Sequence, residues 1–229
     1  MCGRYSITTP VEALRRLFRF AGPALNLAAR YNVAPRQDVP VVRLAEGGTR
    51  AIAMLRWGLV PFWAKDAAIG DRLINARSET AHEKPSFRAA FKARRCILPA
   101  DGFYEWKKEG KAKQPYRIGL EDGGPFGLAG LWERWDDPSG GVLETCAILT
   151  CEANETLRPI HHRMPVILAP DDHGAWLDTG ATDLAAARAL LRPYPTALMV
   201  ACAVSRRVNN ARNDDPACIE PLGETPGLF

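Results

Sequence analysis

Four short stretches of this 229-residue chain carry residue types able to do covalent or acid–base chemistry. The first is the start, MCGRYS, where the small Cys2 after Met1 permits removal of the methionine and leaves an α-amine beside a thiol. Such an amine titrates near 7.7–8.0, so an appreciable fraction is a neutral nucleophile at neutral pH, unlike a lysine. It can attack an aldehyde, and the neighbouring thiol can close the imine into a five-membered thiazolidine. Read alone, a cysteine at this position is an ordinary small residue. The second stretch, INARSE at 74–79, alternates apolar and polar residues, so in an extended conformation Asn75 and Arg77 share a face. An amide can orient an amine or a sugar hydroxyl, and a guanidinium can grip a phosphate. The third, PADGFYEW at 99–106, sets Glu105 among aromatic residues, where partial burial raises a carboxyl pKa and suits it to move protons. The fourth, PIHHRMP at 159–165, has the composition of a loop between two apolar runs. One of its two histidines can serve as a general acid near neutrality while Arg163 holds a phosphate.

These groups need a scaffold, and the pattern of the chain suggests one. Alternating or apolar runs at 39–44, 50–56, 96–99, 115–120, 126–131, 143–150 and 197–204 have strand character. A helix is expected from Thr9, Pro10 and Glu12, read as a capping box, with Leu14, Leu17, Phe18 and Ala21 as its buried stripe. A second starts at Ser86, with Phe87, Ala90 and Phe91 on one side and Lys92, Arg94 and Arg95 on the other. A third is capped by Thr182 and carries Leu184, Leu190 and Leu191. Strands outnumber helices and lack regular helical crossovers, so the expected class is α+β: one domain over residues 1–229, with a largely antiparallel β core flanked by short helices. The Gly-containing stretches 121–125 and 136–141 read as hairpin or surface loops.

Composition narrows the field. With 47% hydrophobic and 24% charged residues the chain is globular rather than disordered. A net charge of +4 allows an anionic partner without marking a dedicated polyanion binder. No apolar run reaches the ~20 residues of a membrane helix and the start lacks a signal-peptide core, so an intracellular protein with no membrane association is expected. The six cysteines form no C-x-x-C pair and the four histidines no zinc spacing; no metal and no cofactor are expected.

Taken together, MCGRYS, YNVAPRQDVPVV at 31–42, RWGLVPFWAKD at 56–66, INARSET at 74–80, RRCILPADGFYEWKK at 94–108, ILTCEAN at 148–154, IHHRMPVIL at 160–168 and VNNARNDDP at 208–216 resemble the SOS response-associated peptidase family. That family protects abasic sites in single-stranded DNA. The resemblance implies that Cys2 is the nucleophile, that Asn75 and Glu105 flank its amine, and that His161 assists proton transfer at the deoxyribose. It further implies phosphate contacts from Arg4, Arg77 and Arg163, with Pro40, Trp63 and Trp106 near the bases. Alternation would put Trp106 on the opposite face of its strand from Glu105. The chain carries His162 after the motif histidine, where the family more often has Asp. Implied for the whole are a covalent protein–DNA link through a thiazolidine, removal of Met1 by the protein itself or by an aminopeptidase, and a single-stranded abasic DNA partner; a DNA groove formed within one domain requires no second subunit, so a monomer is expected.

Two other functions share features of this sequence. An N-terminal-nucleophile amidotransferase also opens Met-Cys-Gly, but the chain has no Asn-Gly element for an oxyanion and no length for a synthetase domain. A non-covalent reader of modified bases would use the same groove and tolerate Cys2→Ala.

Overall fold

The computed structural model describes residues 2–22, 25–180 and 184–223. Met1 and Thr182, on which the methionine removal and the third helix cap rest, lie outside these. The fold is α+β, with mostly antiparallel strands and a few short helices. One sheet holds β1 (Tyr5–Ile7), β2 (Arg30–Val33), β7 (Gly102–Glu109), β8 (Ala112–Leu120) and β13 (Met199–Ala203), in the order β13-β8-β7-β1-β2, all antiparallel. The other contains β3 (Asp38–Leu44), β4 (Arg50–Trp57), β5 (Asn75–Arg77), β6 (Arg95–Ala100), β9 (Phe126–Asp136), β10 (Val142–Glu152), β11 (Arg163–Pro165) and β12 (Ile167–Leu168). In it, β10, β4, β3, β6 and β9 follow one another and β9 pairs back onto β10, so five strands close into a barrel. Closure removes the exposed edges of the central strands.

Six of the seven strand-like runs of the sequence are strands in the fold, and the seventh, 197–204, is a strand only over Met199–Ala203, because Thr196–Leu198 form a 3-10 turn that leads into it. Among the described strands the two parallel pairings are both made by β10, apart from an isolated parallel bridge between Ala21 and Ala51. Thr145 and Cys146 pair with the end of β4, and where β4 leaves, Ile148–Thr150 continue with Asn75–Arg77 of β5. The opposite edge of the same end of β10 takes β11, Thr150 facing Pro165 and Glu152 facing Arg163. The last turn of β10 is thus flanked by two of the chemically interesting motifs. Its 136–141 connection is a hairpin to β9, whereas 121–125 carries the chain from one sheet to the other.

Helix α1 (Val11–Phe18) buries Leu14 and Phe18 completely, each contributing about 1.5–3 kcal/mol of apolar transfer. It begins without a side-chain cap, because the Thr9 hydroxyl is engaged by Asp101; Ala21 is exposed beyond the helix end, which turns left-handed at Arg19. Helix α2 (Arg88–Ala93) buries Ala90 and Phe91. Arg95 is not on its polar side but starts β6, buried, with its guanidinium donating to the carbonyls of Phe91, Trp176 and Asp178. Those bonds tie β6 to α3 (His173–Leu177). Helix α4 is Leu184–Ala189. No described helix is long and apolar enough to cross a membrane.

Asp101, at the turn between β6 and β7, fixes the position of β1. Its carboxylate accepts from Ser6 Oγ (2.7 Å), Thr8 Oγ1 (2.9 Å), Thr9 N (3.0 Å) and the Thr8 amide, and Arg117 Nη2 approaches to 3.2 Å. Burial alone would raise this carboxyl, but the bonds from Ser6 and Thr8 outweigh it and hold it below the ordinary range. A Cβ at residue 102 would lie 2.5 Å from Arg117 Nε, so Gly102 lets the guanidinium lie against the turn and reach Asp101.

Candidate active site

Strand β1 and β7 run antiparallel with Tyr5 opposite Phe103 and the Tyr104 amide donating to the Arg4 carbonyl at 3.0 Å. Continuing that register brings the residues just before β1 alongside Glu105. The barrel delivers the rest: β5 presents Asn75, and a helical turn over 154–161, started by Asn154 Oδ1 accepting from Leu157 N at 3.1 Å, presents His161 just before β11. Cys2, Asn75, Glu105 and His161, scattered over 160 positions of sequence, therefore meet where the open sheet abuts the end of β10.

Asn75 Nδ2 donates to the Cys2 carbonyl at 2.8 Å, which fixes Cys2 against β5. Asn75 Oδ1 is buried and has no hydrogen-bond partner among the described residues. Leaving such an acceptor unmet costs about 1–3 kcal/mol, so it marks a position suited to an incoming N–H. Glu105 Oε1 lies 3.9 Å from His161 Nδ1, and the Arg163 amide is 3.0 Å from the same nitrogen. Cys2 is fully buried and Glu105 only 3% exposed. Burial pushes the Cys2 thiol up, the nearby Glu105 charge adding to it, so the sulfur is a protonated thiol at neutral pH. Burial likewise raises Glu105 and lowers His161, the His161 bond to the Arg163 backbone opposing the latter. Both shifts move the pair toward mutual proton exchange. The His162 ring lies against that of His161, tilted by 31° with centroids 4.4 Å apart, and its pKa is itself lowered, the proximity of His161 being the first cause.

Glu105 and His161 line an open cavity of about 420 Å³ together with Trp106, Lys113 and Asn209. Two larger cavities, of about 530 and 560 Å³, touch none of Cys2, Asn75, Glu105 and His161. Among the described residues no group of three or more His, Cys, Asp and Glu side chains is arranged to hold a metal.

The residues expected to contact a nucleic acid fall into distinct situations. Arg77 is exposed, with no side-chain bond among the described residues. Arg163 is 8% exposed, its guanidinium gripped end to end by Glu79 (2.6 and 3.0 Å) and by the Thr150 carbonyl. Arg4 Nη1 donates to Val208 O (2.8 Å) and Asn32 Oδ1 (3.2 Å). Trp63 is 47% exposed beside the more exposed Phe62. Trp106 lines the cavity although it alternates with Glu105, because its ring sits at the margin, Nε1 donating to Asn209 Oδ1 at 2.7 Å. Pro40 is not brought to this cavity; it is buried in β3 opposite Met54 and lines a separate pocket.

Asn209 and Lys113 are cavity residues that residue-by-residue reading did not single out. Asn209 belongs to the VNNARNDDP block, and the structure shows why that block is where it is. Asn32 Nδ2 donates to the carbonyls of Val208 (3.1 Å) and Asn213 (2.7 Å), and Asp214 Oδ1 accepts from the amides of Tyr31 and Asn32. The segment is thereby clamped on β2 with Asn209 facing Trp106.

The family described as SOS response associated peptidase (SRAP) matches residues 1–211, and the chain belongs to it. It is 43% identical over 223 residues to abasic site processing protein YoqW of Bacillus subtilis (strain 168), covering 96% of this chain and 99% of that one. It is 34% identical over 273 residues to abasic site processing protein HMCES of Pongo abelii, covering 97% and 76%. A crystal structure of a protein from Bacteroides thetaiotaomicron superposes with a TM-score of 0.87 at 29% identity, covering 96% of this chain and all of the other.

Proposed function

We propose that this protein captures abasic sites in single-stranded DNA as a covalent adduct on Cys2. The observation that carries the reading is the Asn75 amide, which binds the Cys2 carbonyl through Nδ2 while keeping a buried, unmet acceptor, Oδ1, beside the residue whose amine must be oriented. With Met1 removed, the neutral α-amine adds to C1′ of the ring-opened deoxyribose and a C–N bond forms. His161 protonates the ring oxygen to open the sugar, and Glu105 takes the proton that the amine releases. Loss of one water gives the imine. The Cys2 thiol then adds across C=N, forming the C–S bond and delivering its proton to nitrogen, which yields the thiazolidine. The raised thiol pKa fits this order, since an amine attacks first and the sulfur is needed only for closure.

Restriction to a single strand follows from burial: a fully buried Cys2 is reached by a flexible backbone that kinks, which an intact duplex resists. Free Arg77, exposed Trp63 and cavity-lining Trp106 supply one phosphate grip and stacking surfaces without base-specific readout. The same cluster is proposed to release Met1 from the protein itself, unless an aminopeptidase does so. The chain acts as one domain and as a monomer, since every element of the cleft comes from one copy.

The test is a denaturing gel with a single-stranded oligonucleotide bearing one abasic site. Wild-type protein lacking Met1 is expected to give a denaturation-stable adduct, and Cys2→Ala none. An equal stable adduct from Cys2→Ala would overturn the reading.

A further inference from the structure

We propose that the tip of the β7–β8 hairpin is a second nucleic-acid contact, one that holds the phosphodiester backbone of the strand leaving the lesion cavity; the proposal rests on the abasic-site reading above. Of the chain's seven lysines, four (Lys107, Lys108, Lys111 and Lys113) lie within this hairpin, the other positive charges of the protein being arginines apart from Lys65, Lys84 and Lys92. Lys108 and Lys113 are directly opposed across the two strands. Like charges in that arrangement destabilise a hairpin. Nothing local compensates: Glu109, the one acid between 107 and 113, pairs with Ala112 and alternates onto the other face, and none of the four lysines makes an ion pair or side-chain bond among the described residues. A cost that the fold leaves standing on an exposed face is relieved by a polyanion.

Position says which polyanion. Alternation puts Lys108 on the same face as Trp106, and Lys113 lines the cavity with Trp106, Glu105 and His161. The lysine face is therefore continuous with the cavity and begins about 10 Å from Glu105 along the strand, at ~3.3 Å per residue. A strand whose abasic sugar occupies the cavity passes over Trp106 and meets Lys108 within a few nucleotides. Lysine suits this task, because a compact, mobile ammonium follows phosphates at varied positions, whereas the guanidiniums of Arg4 and Arg163 are held in fixed, directional bonds.

The experiment uses the whole protein and the double variant Lys108→Gln/Lys111→Gln, which leaves the cavity residue Lys113 in place. Three oligonucleotides are compared: a trinucleotide centred on the abasic site and two 15-mers with the site near the 5′ or the 3′ end. The variant is expected to form adduct with the trinucleotide at the wild-type rate and to melt no lower than wild type. On the 15-mer whose flank crosses the hairpin it needs about three- to tenfold more DNA for half-saturation. Its log–log salt slope there falls by about 0.7 for each phosphate that the variant no longer neutralises. Lys65→Gln/Lys84→Gln removes the same charge elsewhere and is expected to keep the wild-type slope. Wild-type slopes and half-saturation on both 15-mers would overturn the proposal, as would an equal loss in the Lys65/Lys84 control. If wild-type protein forms no adduct with any oligonucleotide yet the lysine-dependent slope persists with undamaged 15-mers, the covalent reading fails and the hairpin contact stands.

Discussion

Asp101, in the turn before β7, and Glu105, within β7, are two buried carboxylates four residues apart, 5% and 3% exposed, and the fold treats them in opposite ways. Asp101 is surrounded by hydroxyls, amides and a guanidinium, and hydrogen bonding holds it ionised below the ordinary range. Glu105 is raised by burial and stands 3.9 Å from a histidine that burial lowers. The first is a structural anchor that locks β1 to β7 and so places Cys2. The second is a carboxyl that burial makes easier to protonate than an exposed one. Burial by itself does not separate the two; the supply of donors does.

The sharpest way to break this comparison is Glu105→Gln. It is expected to slow adduct formation about 100- to 10,000-fold while leaving the melting temperature within a few degrees of wild type, read by single-turnover gel assay and calorimetry. A rate within threefold of wild type would remove Glu105 from the chemistry. Next in size is Asp101→Ala, which strands Arg117 and the donors of Ser6, Thr8 and Thr9. A loss of about 3–5 kcal/mol in denaturant unfolding is expected, with adduct formation by the folded fraction nearly normal. The reverse pattern, stable but inactive, would make Asp101 the functional carboxylate.

The pH dependence of stability should differ in sign between the two. Asp101, depressed in the folded state, contributes stability above its unfolded pKa that is lost as pH falls through its folded value, so Asp101→Ala and wild type converge below about pH 4. Glu105, raised in the folded state, costs stability at pH values above its unfolded pKa, so Glu105→Gln gains on wild type as pH rises above about 4. Melting curves from pH 3 to 8 check both slopes, and parallel curves would contradict the assignment. The smallest effect concerns the exposed Arg77: Arg77→Gln is expected to lower the salt slope of single-strand binding by about 0.7, one phosphate contact, without changing stability.

Sequence patterns foretold the strands well, because barrel strands buried against one core show their apolar runs directly. They put Asn75 and Arg77 on one face of an extended segment through simple alternation, and the structure places both on one short strand. What they could not convey was closure. That β5 follows β4 along the same edge of β10 depends on pairings between residues about 70 to 90 positions apart, and this brings Asn75 to Cys2. The capping reading of Thr9 failed for a related reason, since its partner Asp101 lies 92 residues away. Arg95 looked like the polar side of a helix because nothing local signals that the carbonyls of Trp176 and Asp178 will receive its guanidinium. Asn209 and Lys113 carry no chemical signature of their own and acquire a place only through Trp106 and the hairpin register.

The most direct measurement of the central claim is the intact mass of the protein after reaction with a single-stranded abasic oligonucleotide, followed by peptide mapping. The account predicts the sum of the protein without Met1 and the oligonucleotide minus one water, with the link on Cys2 stable without reductant. A link mapped to a lysine, or one that survives only after borohydride reduction, would contradict it.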